Sequence, residues 1–309
     1  MIQPRSLAPL YSSSVCPLRF AMFLPRLDRL TTLYFGLPIT KLMGPKSGTR
    51  VPILMYHSIS DNLFGKSHPY FHINTSPDIF RRQMRCLQQE GYRSIDLNEL
   101  MKRLEFGTDL GKTVVITFDD GYQDFLTDAL PVLKQCGFTA TVFLATGRIQ
   151  QTSMRLEGVD YLTWREVREL HGEGIQFGSH TVSHPDLRCL GPEQIEYELG
   201  YSKEVIEQQL SVEVKSFAYP FPFPEENADF TRLLLDELEN QGYENGVTTI
   251  LGRASLHHNR FFLPRLPVNS WDDQSFFLAK LAGGYDWLHW PQWFNKFMYH
   301  NASLMQRSS

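Results

Sequence analysis

Short apolar segments that read as buried β-strands alternate with amphipathic segments of helical period along most of this chain. Alternating strands and helices form βα units, which fold into a parallel sheet with right-handed crossovers. Roughly six or seven such units favour a closed or nearly closed barrel over an open sheet. The predicted strands cover residues 51–57, 93–95, 112–118, 139–145, 175–179, 216–219, 246–249 and 261–268.

Helical segments separate these strands, and local signals mark where several of them begin. Ser76 followed by Pro77 starts one helix, and Thr163 with Glu166 forms a capping box at the start of another. Pro131 lies inside a third and predicts a kink there. The predicted helices cover residues 76–91, 97–104, 125–136, 163–171, 192–210 and 228–240.

Composition limits the classes of protein that the chain can belong to. With 42% hydrophobic and 21% charged residues, a chain of 309 residues folds into a globular core. A net charge of −4 and the absence of a basic stripe argue against a nucleic-acid partner. No apolar run approaches the roughly 20 residues of a spanning helix. The cysteines are far apart and are predicted to be unpaired thiols; they are Cys16, Cys86, Cys136 and Cys189.

The two ends of the chain differ from the alternating middle. Residues 1–49 form an N-terminal extension in which Arg19 and Pro25 interrupt any leader-like apolar run. We therefore favour an irregular or membrane-leaning extension over a cleaved leader. Residues 50–270 form the main domain, and residues 271–309 an aromatic-rich helical extension. Its tryptophans either cover the core or form a sugar platform; they are Trp271, Trp287, Trp290 and Trp293.

Two adjacent carboxylates, Asp119 and Asp120, follow the short apolar, β-branched strand predicted at residues 112–118 and precede Gly121. In α/β folds ligands bind at the carboxyl ends of the strands, so both side chains can point into one cavity. A plain Asp-Gly turn after a strand is the alternative interpretation.

A second strand end carries His180 and His184, four residues apart. If the strand gives way to a helical turn, both imidazoles lie on one face. Asp120 from the neighbouring strand would then complete a site of two histidines and one carboxylate, and three protein ligands with an open position are typical of a catalytic metal site. Asp119, which the metal does not need, is a candidate base. A surface histidine pair remains the alternative.

Four motifs in this order resemble the polysaccharide deacetylases, that is, carbohydrate esterase family 4 with its NodB homology domain. The motifs are residues 117–121 (Thr-Phe-Asp-Asp-Gly), 180–184 (His-Thr-Val-Ser-His), 217–221 (Phe-Ala-Tyr-Pro-Phe) and 263–265 (Leu-Pro-Arg), and the resemblance spans about residues 51–268. It implies an α/β fold with a distorted (β/α) barrel of about seven parallel strands. It also implies metal-dependent removal of N-acetyl groups from an N-acetylhexosamine-containing polysaccharide.

The resemblance also implies roles for individual residues. Asp119 is the base that activates a metal-bound water, and Asp120, His180 and His184 bind the metal. The metal is a divalent ion, with zinc expected first and cobalt, nickel or manganese as alternatives. Arg265 holds Asp119 by a charge-assisted hydrogen bond, unless it is a surface arginine.

The third motif implies a groove wall at Tyr219 and an oxyanion donor at the Phe221 N–H. Here Phe221 and Pro222 replace the Tyr-Gly of many relatives, which puts substrate contact at this wall in doubt but leaves the N–H donor. For the acid that protonates the leaving amine the sequence offers two histidines. His57 ends the first strand, as in a subgroup of the family, while His258 fits the Leu-x-His spelling of other members. We favour His57 over His258, and a packing role for His57 is the alternative.

The expected partner is an acetylated polysaccharide or oligosaccharide. A substrate of this class favours a location of the protein in the cell envelope or outside the cell. Two other functions stay open: an amidase of non-sugar substrates on the same fold, and a glycan-binding protein without turnover. Intact candidates at all four positions of the site, Asp119, Asp120, His180 and His184, argue against loss of turnover.

Overall fold

The computed structural model describes residues 26–43, 50–61, 73–152, 155–156 and 158–307. Its strands are β1 (Ile53–Tyr56), β2 (Ser58–Ile59), β3 (Asn74–Thr75), β4 (Arg93–Ser94), β5 (Thr113–Phe118), β6 (Thr141–Leu144), β7 (Arg155–Leu156), β8 (Val159–Asp160), β9 (Gln176–Ser179), β10 (Ser216–Ala218), β11 (Asn245–Leu251) and β12 (Leu263–Pro267). Its α-helices are α1 (Leu27–Thr31), α2 (Leu37–Met43), α3 (Pro77–Gln89), α4 (Leu97–Glu105), α5 (Leu130–Cys136), α6 (Trp164–Gly172), α7 (Pro192–Leu210), α8 (Ala228–Asn240), α9 (Gln274–Leu281) and α10 (His289–Arg307).

Seven parallel strands close into a barrel in the order β1-β12-β11-β10-β9-β6-β5. The closing pair is β1 with β5, where Ile53 faces Val115 and Tyr56 faces Phe118. The short strand β4 pairs with the start of β5, and β6 pairs with the end of β5. This shared edge of β5 distorts the barrel. The predicted α/β barrel of about seven parallel strands is therefore confirmed.

Alternate residues of each barrel strand belong to two separate cores. Ile53, Val115 and Leu263 belong to the smaller cluster inside the barrel, which α4 also enters. Leu54, Ile116 and Leu266 lie one or three positions further along the same strands, and they belong to the larger cluster between the barrel and the surrounding helices. Because the side-chain period of a strand is two, this parity also fixes which polar residues at the strand ends point inward.

The helix predicted around Pro131 begins with a π-helical turn at Phe125–Ala129 and continues as α5. Proline has no N–H to donate to the preceding turn, so the hydrogen-bonding pattern changes just before it. The structure also contains elements that the sequence patterns did not indicate. They are the two-residue strands β2 and β3 and the short antiparallel pair of β7 with β8.

Residues 27–43 are helical, although we expect an irregular extension there from sequence. Helix α1 leads through a π-helical turn (Thr32–Gly36) into α2. The turn lies against the C-terminal region, where the Trp287 Nε1–H donates to Thr32 Oγ1 over 3.2 Å. The leader-like segment and Cys16 lie outside the described residues.

The aromatic C-terminal region folds as α9 and α10, joined by a short 3₁₀ helix at Asp286–Leu288. Phe276, Phe277 and Leu281 of α9 are buried in the larger core. Cys86, Cys136 and Cys189 are free thiols, as predicted. Among the described residues, no helix combines the length and apolar character that crossing a membrane requires.

Candidate metal centre at the barrel mouth

Three of the predicted site residues occupy positions along their strands at which the side chain points into the barrel. His57 follows β1 two residues after Met55, Asp119 follows β5 two residues after Thr117, and Arg265 lies in β12 two residues after Leu263. Thr117 Oγ1 accepts a hydrogen bond from Arg265 Nη1 over 3.1 Å, inside the barrel. The strand period therefore carries all three side chains into the carboxyl end of the barrel.

Asp120 would point outward if β5 simply continued. Instead its backbone is left-handed, with φ of 73°, and Gly121 follows with φ of 77°. This reversal aims Asp120 into the same cavity as Asp119, at a conformation that costs a non-glycine residue on the order of 1 kcal/mol. A Cβ on Gly121 would lie 2.8 Å from the Leu144 side chain, so a larger residue there would also force Leu144 to move.

His180 and His184 meet across a loop and not, as the sequence suggested, on a helical turn. Thr181 and His184 are left-handed, with φ of 69° and 58°, and the two ring centroids lie 4.8 Å apart. Glu198 of α7 holds this loop by accepting from the Val182 and Ser183 N–H groups over 2.8 and 2.9 Å. The prediction of a helical turn is therefore wrong, while the predicted meeting of the imidazoles is confirmed.

One oxygen of Asp120 faces both imidazoles. Asp120 Oδ1 lies 3.3 Å from His184 Nε2 and 3.8 Å from His180 Nε2. It is buried and has no hydrogen-bond partner among the described residues. The other ring nitrogen of His180, Nδ1, lies 2.8 Å from the Ala218 carbonyl oxygen, which orients the ring with Nε2 toward Asp120. The three ligand atoms lie within 4.8 Å of one another and form a candidate metal site.

Burial lowers the pKa of His184 to about 4, and the neighbouring His180 adds to this effect. A neutral imidazole with a free ring nitrogen is the form that binds a metal. The donor set of one carboxylate and two imidazoles, with one buried carboxylate oxygen that lacks a hydrogen-bond partner among the described residues, therefore fits a divalent ion.

Arg265 holds the other carboxylate of the pair in a fork. Its Nη1 and Nη2 donate to Asp119 Oδ1 and Oδ2 over 2.7 and 2.8 Å, and its Nε donates to the Thr248 carbonyl over 3.0 Å. Both side chains are almost fully buried. Burial alone would raise the pKa of Asp119, but the Arg265 guanidinium outweighs this and holds that pKa well below its usual range. Arg265 is thus not a surface arginine.

The structure separates the two candidate acids. His57 Nε2 lies 3.9 Å from Asp119 Oδ2, at the mouth of the barrel. Burial lowers the pKa of His57 and Arg265 adds to this, while Asp119 and Asp120 oppose it. His258 instead contacts Ser255, beside the Ala254–Val51 bridge that precedes β1. That bridge lies at the amino end of the strands, far from Asp119.

Phe221 and Tyr219 of the third motif end up in different surroundings. Phe221 is left-handed, with φ of 60°, and its ring lies 5.0 Å from the His184 ring. The Phe221 N–H has no hydrogen-bond partner within the described part of the chain. Tyr219 is 1% exposed and packs on Phe223 in the outer core, so its side chain cannot contact a substrate. This corrects the expectation that Tyr219 lines a groove.

Several residues that build the mouth were missed in the sequence. Thr249 Oγ1 accepts from the Phe223 N–H over 2.8 Å and donates to the Phe221 carbonyl over 3.3 Å, which fixes the Phe221 turn. Glu198 holds the histidine loop, and Arg148 Nη1 lies 3.9 Å from Asp120 Oδ1. Only Glu198 carried a signal: it is an acidic residue on the face of α7 that Ile195 and Leu199 bury.

A closed parallel barrel whose strand ends bring together two carboxylates, two imidazoles and a histidine acid candidate is the arrangement of a barrel hydrolase. Comparison with known proteins agrees. The family model for polysaccharide deacetylases matches residues 107–246.

Among whole proteins, YxkH of Bacillus subtilis strain 168, which carries the polysaccharide deacetylase name, is 33% identical over 221 residues, or 71% of this chain and 72% of its own. The solved structure of the deacetylase PplD of Streptococcus pyogenes, in complex with acetate, is 28% identical with a TM-score of 0.64, over 76% of this chain and 99% of its own. A poly-β-1,6-N-acetyl-D-glucosamine N-deacetylase of Staphylococcus aureus strain MSSA476 is 22% identical over 249 residues, or 75% of this chain and 82% of its own. The chain therefore belongs to the polysaccharide deacetylase family and is a hydrolase.

Proposed function

We propose that this protein removes N-acetyl groups from an N-acetylhexosamine-containing polysaccharide, with a divalent ion held by Asp120, His180 and His184. The observation that carries the proposal is the buried Asp120 Oδ1, which lacks a hydrogen-bond partner among the described residues and faces two imidazole Nε2 atoms within 3.8 Å. The relative from Staphylococcus aureus, which acts on poly-β-1,6-N-acetyl-D-glucosamine, supports an N-acetylhexosamine substrate. Zinc is the ion we expect, because two imidazoles and a carboxylate with an open position are common zinc ligands.

When bound, such an ion would lower the pKa of a water molecule and polarise the acetyl carbonyl. Asp119 is the base in this proposal. Its carboxylate stays ionised because Arg265 lowers its pKa, and it is fixed in orientation by the two hydrogen bonds from that guanidinium. It takes a proton from the water that attacks the acetyl carbon.

His57 is the acid that protonates the leaving amine. It lies 3.9 Å from Asp119 Oδ2 on the same side of the mouth. Burial lowers its pKa, and a lower pKa makes the protonated imidazole a stronger acid toward the amine. The breaking C–N bond thus receives its proton from a group beside the base.

The Phe221 N–H donates to the acetyl oxygen as negative charge develops on it. This N–H has no competing acceptor among the described residues, and the turn that carries it is fixed by Thr249. Removing one such donor typically costs a factor of about 10²–10³ in rate.

The test is release of acetate by purified protein that has been stripped by a chelator and reloaded with Zn²⁺. Substrates are acetylated chitooligosaccharides, oligomers of β-1,6-linked N-acetylglucosamine, and small N-acyl amides without sugar. We expect turnover of a glycan, and we expect Asp119→Asn to abolish it while the protein retains its metal. Asp236→Asn, at an exposed position of α8, is the matched control and should keep full activity.

Three outcomes would contradict the proposal. Turnover of small amides without any glycan would favour the non-sugar amidase. Glycan binding by the metal-loaded protein without acetate release would favour a binding protein. Full activity of Asp119→Asn would remove Asp119 from the role of base.

A further inference from the structure

Arg148 is a cation beside the candidate metal site that the proposed reaction does not use. It ends the short 3₁₀ helix Thr146–Arg148, just past the carboxyl end of β6. Its Nη1 lies 3.9 Å from Asp120 Oδ1, the oxygen that faces both imidazoles. Its side chain is 25% exposed, so it reaches both the site and the solvent at the barrel mouth.

The guanidinium is held in place but keeps most of its donors. Nη1 donates to the Tyr161 hydroxyl over 3.1 Å, and the group lies 5.6 Å from the centre of the Tyr161 ring. No other hydrogen bond from the Arg148 side chain occurs within the ranges that the structure describes. Because a guanidinium carries five N–H donors, several remain for a planar acceptor such as a carboxylate.

The segment that carries Arg148 is tied to the histidine loop. Thr146 N–H donates to the Thr181 carbonyl over 3.1 Å, and Gly147 N–H donates to the Val182 carbonyl over 2.8 Å. A Cβ at Gly147 would lie 2.8 Å from that Val182 oxygen, so glycine permits the close approach. Arg148 therefore has a fixed position relative to His184.

Charge at the mouth points to an anion. The charge of Asp119 is already paired with Arg265 through two hydrogen bonds, so Asp119 is not the counter-ion of Arg148. The carboxylates of Asp119 and Asp120 balance the two guanidinium groups, and a divalent ion on Asp120 leaves an excess of positive charge. In a partly desolvated mouth this excess attracts an anionic group.

We propose that Arg148, oriented by Tyr161, forms a carboxylate subsite that selects glycans bearing a carboxylate on or next to the N-acetylated sugar. This inference rests on the proposed function for its substrate class and adds the acidic substituent. A guanidinium recognises a carboxylate through two parallel hydrogen bonds, which a neutral ester or hydroxyl cannot accept with the same charge complementarity.

The experiment compares tetrasaccharides in which N-acetylglucosamine alternates with glucuronic acid or with N-acetylmuramic acid, each as the free acid and as its methyl ester. With Zn²⁺-loaded wild type we expect kcat/KM to favour the free acid by about tenfold or more, and the preference to fall as salt rises. In Arg148→Gln we expect the acid-to-ester ratio to drop to within about threefold, chiefly through KM for the acid. Arg148→Lys keeps the charge without the fork and should lie between the two.

Arg81→Gln changes a partly exposed arginine of α3 that forms an ion pair with Asp78; this variant is the control and should keep the wild-type ratio. Equal kcat/KM for acid and ester in the wild type, with hydrolysis intact, would overturn the subsite and leave the proposed function standing. Tighter calorimetric binding of the acid than of the ester, lost in Arg148→Gln, would support the subsite even if neither were hydrolysed. Weaker inhibition by acetate in Arg148→Gln, without any acid preference in the wild type, would assign Arg148 to the product and also overturn the proposal.

Discussion

At the scale of single residues, the site depends on a buried charge pair. Asp119 is 2% exposed and lies in a fork of two hydrogen bonds from Arg265, itself 1% exposed. A buried pair of this kind contributes little net stability, but removing one partner leaves the other charge without compensation. Arg265 therefore matters most for the protonation state of Asp119.

We predict that Arg265→Gln shifts the acidic limb of the pH profile of kcat to higher pH. Without the guanidinium, burial dominates and raises the pKa of Asp119, so the base is lost by protonation at a pH where the wild type is still ionised. The shift should be at least about one pH unit, with kcat lower by about 10²-fold near pH 7. The measurement is kcat for acetate release between pH 4 and pH 9.

Arg260→Gln serves as the control because Arg260 is exposed and forms its ion pair with Glu239, on the surface. An unmoved acidic limb in Arg265→Gln, in a variant that circular dichroism shows to be folded, would contradict this role of Arg265.

Asp124 makes stability depend on pH at a position outside the catalytic set. Its carboxylate accepts from Ser58 Oγ over 2.5 Å, and burial raises its pKa from the ordinary value of 3.8 to about 6. Because the folded state holds this proton more tightly than the unfolded state does, protonated Asp124 adds to the free energy of unfolding. This contribution is complete below about pH 4 and is lost as the pH rises through about 6.

In Asp124→Asn this pH-dependent loss should be absent. We predict that the free energy of unfolding of the variant, relative to the wild type, improves by about 1–3 kcal/mol between pH 4 and pH 7. Urea denaturation of both proteins in a chelating buffer at the two pH values measures it. A difference between the two proteins that does not change with pH would show that Asp124 is not buried as described.

At the scale of elements, strand parity decides what the sequence could reveal. The apolar strands before His57 and Asp119 were recognisable from the sequence. Because alternate residues of a strand point to the same side, the buried residues two positions earlier predict that these two side chains point into the barrel. The motif order predicted Arg265 as their partner. Thr249, Arg148 and Tyr161 had no such signal, because each acts through a contact with a part of the chain far away in sequence.

The histidine loop shows why local patterns failed. A spacing of four residues suggested a helical turn, but Thr181 and His184 are left-handed. Side chains other than glycine rarely adopt that conformation, so no local propensity predicts it. The loop holds it because Glu198, on a helix that begins eight residues later, accepts from its backbone N–H groups.

We predict that Thr249→Val lowers kcat by about tenfold with little change in KM. Valine has nearly the same shape but cannot accept from Phe223 N–H or donate to the Phe221 carbonyl. The turn that presents the Phe221 N–H then loses its fixed position, and a loosened oxyanion donor acts mainly on the transition state.

Thr231→Val on the surface helix α8 is the control, because the Thr231 hydroxyl donates to the Ala228 carbonyl of its own helix, away from the barrel mouth. A pure KM effect in Thr249→Val would contradict the proposed action through the oxyanion.

At the scale of the whole molecule, the C-terminal segment belongs to the main body. The buried Lys280 of α9 donates to the Pro267 carbonyl of β12 over 2.8 Å, and Gln292 of α10 bonds to the backbone of β11 at Thr249 and Leu251. From sequence we predicted residues 271–309 to be an extension, because their aromatic pattern does not identify the part of the protein that they pack against. Residues 26–42 differ, since Thr32 is the one buried residue among them.

We predict that a chain ending at residue 270 does not fold, whereas a chain beginning at residue 50 does. Losing α9 removes four buried apolar side chains, Phe276, Phe277, Ala279 and Leu281, worth roughly 8 kcal/mol, a large part of a typical total stability. Removal of residues 1–49 should lower the melting temperature by a few degrees and keep kcat/KM within about threefold. Thermal denaturation and acetate release measure both, and a stable, active chain lacking 271–309 would contradict the first part.

The central claim is that Asp120, His180 and His184 share one divalent ion. Anomalous diffraction at the zinc edge, from crystals grown with Zn²⁺, tests it most directly. We expect one strong peak about 2.0–2.2 Å from Asp120 Oδ1, His180 Nε2 and His184 Nε2, and none at that position in Asp120→Ala. A map without a peak among these three atoms, from protein that still releases acetate, would contradict the account.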